Sequence, residues 1–179
     1  MYSFEANPIF YDLIRETGTK LIPKAVWIED TQKNFYVVSK NKNGKANKIS
    51  GSSTLSEQKN KWNLTVGNHQ ESESILVDCV DFSNWLHNTL YADDYVILKM
   101  DIEGSEYEVL NKMIETGAIK YINELWAEFH WAKCGVSESA HNNLLAKLKT
   151  LVDVVDDSWD AQEYSKILRR SDLRFADEN

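Results

Sequence analysis

Cysteine is nearly missing from this chain. Cys79 and Cys134 stand alone in 179 residues, too few and too isolated for a disulfide framework or a structural zinc site. No apolar run approaches the roughly 20 residues of a membrane-spanning helix. No charged n-region followed by an apolar h-region opens the sequence. These absences point to a cytoplasmic protein with no membrane partner. Positive charge is also short: 20 Lys and Arg stand against 28 Asp and Glu, for a net charge of −8. That balance disfavours nonspecific attraction to nucleic acid, and the patch of Lys40, Lys42, Lys45 and Lys48 reads as a solvated loop. With no internal repeat and no linker, residues 1–179 are expected to form one domain.

What is present is strongly patterned. Tyr95 to Met100 is a short apolar run broken only by Lys99, and it reads as a buried strand. Acidic residues begin where it stops: Asp101, Glu103 and Glu106. Gly104 permits a sharp turn. Val109, Leu110, Met113 and Ile114 then give a helix its apolar face, with Gly117 as the stop. In Glu124–His130, Leu125, Ala127 and Phe129 alternate with Trp126, Glu128 and His130, which places Glu128 and His130 on one face of a strand. Ligands in open α/β sheets sit beyond the carboxyl ends of strands. If the two strands are neighbours, Asp101, Glu128 and His130 meet on one rim.

The remainder alternates between strands and helices. Met1 to Phe4 reads as a strand ending in Glu5, followed by Asn7 as an N-cap, Pro8 at the first helical position, and a helix with Phe10, Leu13 and Ile14 on its apolar face. Leu21 to Trp27 reads as one strand, and Ile28 to Ser39 as a hairpin turning at Asp30–Lys33. Residues 41–73 are polar and weakly patterned, the profile of a long loop or lid. A strand over Ile75–Val80, a helix capped by Asp81, a helix capped by Ser137 with Ala140, Leu144, Leu148 and Leu151, and a strand over Leu151–Val155 follow. Residues 161–179 form a tail. The alternation predicts an α/β protein with a doubly wound, mostly parallel sheet.

Six segments, YSFEANP, PKAVW, GSSTL, LVDCVDFSNWL, VILKMDIEGSEYEVL and ELWAEFH, stand in the order seen in FkbM-like methyltransferases. The chain resembles that family over about residues 1–160, most specifically in LKMDIEGSEYEVL. The resemblance implies a Rossmann-like class I methyltransferase fold. It implies S-adenosylmethionine as cofactor and O-methylation of a sugar or small-metabolite hydroxyl. In that fold the acid ending the second strand holds the ribose hydroxyls, and the matching residue is Glu5. Ala6, Asn7, Ala25, Val26 and Asp101 complete the implied cofactor set. The family pattern opens with a further strand and a Gly-rich loop that have no counterpart here. The implied fold is therefore N-terminally truncated, with the missing strand expected between the Met1–Phe4 strand and Tyr95–Met100.

The residues carry their own chemistry beside this. A carboxylate such as Glu5 can accept two hydrogen bonds from a vicinal diol. Methyl transfer to oxygen needs positioning and removal of a proton, and an imidazole is the natural base near neutral pH. His130 takes that role, oriented by Asp101 or Glu128, with Glu103 in the same catalytic group. Asp101, Glu128 and His130 also make a divalent-cation set, ranked below the metal-free base. Two other functions compete: a noncatalytic binding or assembly module of this fold, and a metal-dependent hydrolase built on the acidic rim.

Overall fold

A computed structural model describes residues 1–41, 51–67 and 69–157. It begins with β1 (Tyr2–Phe4), a 3-10 turn (Pro8–Phe10), α1 (Tyr11–Glu16) and β2 (Lys20–Ile22), with β1 and β2 parallel. The Asn7 side chain accepts from the Ile9 N–H, and Pro8 follows at the first helical position, where its missing N–H costs nothing. The expected apolar face of α1 is not buried: Leu13 is 61 % exposed, and no residue of the helix is buried.

The strand expected over residues 21–27 is two strands in two sheets. Lys24 N–H donates to Ile22 O at 2.8 Å, closing a tight turn around Pro23, which has no N–H to offer a ladder. β3 (Ala25–Trp27) then pairs in parallel with β5 (His69–Asp81), and β4 (Thr31–Asn41) runs antiparallel to the other edge of β5. The hairpin expected over residues 28–39 is therefore not formed. Phe35 of β4 packs with Val77 and Cys79 of β5, Ala25 and Ala6 in one apolar cluster, so β4 finds its apolar partner 40 residues along the chain rather than in its neighbour.

The expected loop over 41–73 is partly overturned as well. It contains α2 (Glu57–Thr65), capped by Ser56, and the start of β5. Residues 42–50 of that stretch, and the tail beyond 157, lie outside the described residues.

The third sheet is wholly parallel: β6 (Ile97–Met100), β7 (Glu124–Ala127) and β8 (Val154–Asp156), with β7 in the middle. β8 starts later than expected because α5 (Glu138–Leu151) runs through Leu151. α5 turns Leu144, Leu145 and Leu148 inward, while Ala140 and Leu151 stay exposed. α3 (Phe82–Thr89) is capped by the Asp81 carboxylate, and α4 (Glu106–Thr116) stops at Gly117 in the left-handed region. Leu110, Met113, Leu125, Ala127 and Leu148 are fully enclosed between sheet and helices.

The described strands thus form three sheets instead of one continuous doubly wound sheet. The architecture is mixed α/β, mostly parallel, with five α-helices among the described residues, and compatible with a Rossmann-like fold. β1 and β6 lie in different sheets, and no described strand joins them. Aromatic packing partly bridges that gap: Phe4 meets Phe82 and Trp85 of α3 edge-on at 5.3 and 4.9 Å. No described helix is long and apolar enough to cross a membrane.

Candidate active site

The site is built on the turn between β6 and α4. Asp101 follows the last strand residue, and the chain reverses through Glu103, at φ 55°, and Gly104, at φ 109°. The Glu106 carboxylate folds back on this turn, accepting from Gly104 N–H at 3.0 Å and Ile102 N–H at 3.3 Å. From the other side, Thr54 Oγ1 donates to Glu103 O at 2.6 Å. Gly104 is required twice, by its φ and by its surroundings, since a Cβ there would run into Cys134 Sγ. Gly104→Ala should therefore cost at least about 1–3 kcal/mol from backbone strain alone, with steric repulsion added. Urea denaturation would measure it; an unchanged midpoint would mean that the turn relaxes freely.

His130 lies just beyond β7 and is 3 % exposed. Its Nδ1 is 3.0 Å from Glu106 Oε1. Its Nε2 is 3.4 Å from Glu128 Oε1 and 3.5 Å from Glu103 Oε2. Both Glu106 oxygens accept from backbone N–H groups, so Glu106 is taken as the acceptor in its contact with the imidazole. The network therefore assigns a proton to His130 Nδ1 and turns Nε2 towards Glu103 and Glu128. The residue hydrogen-bonded to Nδ1 is Glu106, which was not among the expected partners, while Glu128, one of the two expected, faces Nε2. Strand alternation drew attention to residues on the two strand ends, whereas Glu106 reaches His130 from the first turn of a helix.

A second residue in the site was not anticipated. Lys59 of α2 is 1 % exposed and ion-paired with Glu103. Burial, then repulsion by Lys133, brings its ammonium down to about 8. Burial, then the Glu106 charge, pushes the nearby Cys134 thiol up to about 11. The only cue to Lys59 was Ser56 three residues earlier, which caps α2 through Lys59 N–H.

Two cavities meet at Glu103. The first, about 120 Å³, is lined by Glu5, Ala6, Asn7, Ala25, Val26 and Asp101, the whole group implied for the cofactor, together with Gly51, Ser53 and Leu55 of the GSSTL loop. Glu5 Oε1 accepts from Asn7 N–H at 2.6 Å. Burial chiefly, and the Asp101 charge in smaller part, raise its carboxyl above the usual range against the backbone hydrogen bonds that lower it. Asp101 Oδ1 is buried with no hydrogen-bond partner among the described residues. The second cavity, about 360 Å³, contains Lys59, Trp62, His69, Glu128 and His130 in its wall. Glu103 lines both.

Asp101, Glu106 and His130 each offer a donor atom within 4.8 Å of the others, the grouping a divalent cation would use. Both Glu106 oxygens, however, accept from Gly104 N–H, and Oε1 also faces Ile102 N–H and His130 Nδ1. A cation there would compete with those hydrogen bonds, and Glu106 stands in this grouping where Glu128 was expected.

No curated protein and no solved structure matches the chain. The family model described as Methyltransferase FkbM domain matches residues 1–151. That span takes in both cavities, the β6–α4 turn and His130, and the chain belongs to the FkbM methyltransferase domain family.

Proposed function

We propose that the chain is an S-adenosylmethionine-dependent O-methyltransferase acting on a hydroxyl of a saccharide or small metabolite. The observation that carries this reading is the pair of cavities sharing Glu103, one edged by carboxylates and the other by His130. Small-molecule sites usually enclose roughly 300–1,000 Å³. The first cavity, at about 120 Å³, suits the ribose end of the cofactor rather than the whole of it. The residues fit that group: Asp101 Oδ1 has no partner among the described residues, and the Glu5 carboxylate keeps acceptor sites beyond its bond from Asn7 N–H, which hydroxyls can fill.

When bound, the cofactor supplies the electrophilic methyl group. Glu5, with Ala6 and Asn7, holds the ribose end, while Ala25 and Val26 form the apolar wall. Asp101 and Glu103 favour positive charge at the boundary between the cavities. The second cavity takes the acceptor, placing its hydroxyl by His130 Nε2. That nitrogen would take the hydroxyl proton as the oxygen displaces the methyl group from the sulfonium sulfur, which would leave as a neutral thioether, and Glu106, Glu103 and Glu128 would stabilise the imidazolium.

Glu5→Ala tests the cofactor end. Hydrogen bonds to a charged acceptor contribute about 1.5–3 kcal/mol each, so calorimetric titration should show affinity falling by at least one such bond. Equal affinities in parent and variant would remove Glu5 from the site. The sign of the pH dependence follows from burial. Glu5 protonates above the ordinary 4.5, so affinity should decline on acidification earlier than for an exposed glutamate, because the protonated group loses its charge as an acceptor.

A further inference from the structure

We infer that Lys59 is a positioning residue for this reaction, its ammonium fixing the Glu103 carboxylate against His130 Nε2 at the boundary of the two cavities. The inference rests on the proposed methyl transfer. Lys59 is buried in α2, and a buried ammonium needs a partner to offset its desolvation. Its ion pair is with Glu103, a residue in the left-handed region whose carbonyl is held by Thr54 Oγ1. The Glu103 backbone is therefore fixed by Thr54 and its side chain by Lys59. The same carboxylate stands 3.5 Å from His130 Nε2. α2 thus reaches the imidazole through Glu103, with no contact between Lys59 and His130 needed.

Charge is what makes the device work. The charged or titratable groups facing Lys59 are Glu103, Lys133, Cys134, Glu106, Asp101 and His69. An ammonium with its pKa brought down to about 8 is charged at neutral pH and discharged above that value. Turnover should then fall on the alkaline side of pH 8 as Glu103 is released.

A double-mutant cycle tests this, using Lys59→Met, Glu103→Gln and the double variant. Each is followed by kcat and KM across pH, by thermal melting, and by the rate at which diethyl pyrocarbonate modifies His130 in peptide maps. Misplacement of a group beside the reacting atoms should lower kcat on the order of 10- to 100-fold in Lys59→Met, with the cofactor KM within about twofold. His130 modification should become faster. Glu103→Gln should abolish the alkaline decline, and the double variant should match the worse single variant. Additive losses, an alkaline limb retained in Glu103→Gln, or parent-like kcat in Lys59→Met would overturn the inference. If Lys59→Met does not fold, the pH profile of Glu103→Gln decides alone. A parent without methyl transfer would sink the proposed function instead, and the cycle in modification rates would then decide the role of Lys59, with unchanged rates overturning it.

Discussion

His130→Ala should lower the methyl-transfer rate by roughly 10²–10⁴-fold, the usual cost of losing a positioned general base. Cofactor affinity should stay near the parent value, since His130 lines the second cavity and not the first. Some stability should go too. The imidazole is buried and bonded to Glu106, and removing one partner of such a bond costs about 1–3 kcal/mol. Rate and melting temperature therefore have to be measured together. A variant that melts earlier yet turns over normally would reduce His130 to a structural residue.

Glu106→Ala should have the largest effect on the fold. Glu106 is fully enclosed (0 % exposed), and its carboxylate is the common acceptor for Ile102 N–H, Gly104 N–H and His130 Nδ1. Removing it strands two backbone donors and one side-chain donor. Breaking a buried charged network of this kind costs about 3–5 kcal/mol. Chemical denaturation of parent and variant would measure the loss. A change under about 0.5 kcal/mol, the size of an ordinary surface substitution, would show that the turn holds itself.

The parts of the fold that follow local rules were legible. Asn7, Asp81 and Ser137 cap where their side-chain oxygens predict, and Gly117 ends α4. The apolar face of α4 follows from periodicity, and β6 and β7 are the neighbours that the acidic rim required. What failed depends on distant partners. The pairing of β4 with β5 spans residues 31–81, and nothing near Thr31 specifies it. α2 was invisible because its buried positions are Lys59 and Asn63, polar residues that erase the apolar period of a helix. The same polarity hid the site, since Lys59 is enclosed by its ion pair and not by apolarity. Glu106 was visible only as an acid in a run of acids. Its role comes from a turn geometry that brings a carboxylate back over its own N-terminal approach.

The first cavity is walled by residues 4–7, 10, 24–26, 35, 51, 53, 55, 101–103 and 105. These stretches come from strands of the first two sheets, the turn that follows β6 of the third, and the segments between them, and none of them makes a wall alone. Closing loops of that length costs entropy before any contact repays it, so the recess exists only once the sheets have come together. A molecule held there is recognised by the assembled chain and ignored by its unfolded form. Its binding energy consequently adds to the stability of the folded chain as a whole, through linkage. Occupancy of this small recess and the persistence of the native state are one equilibrium seen from two ends.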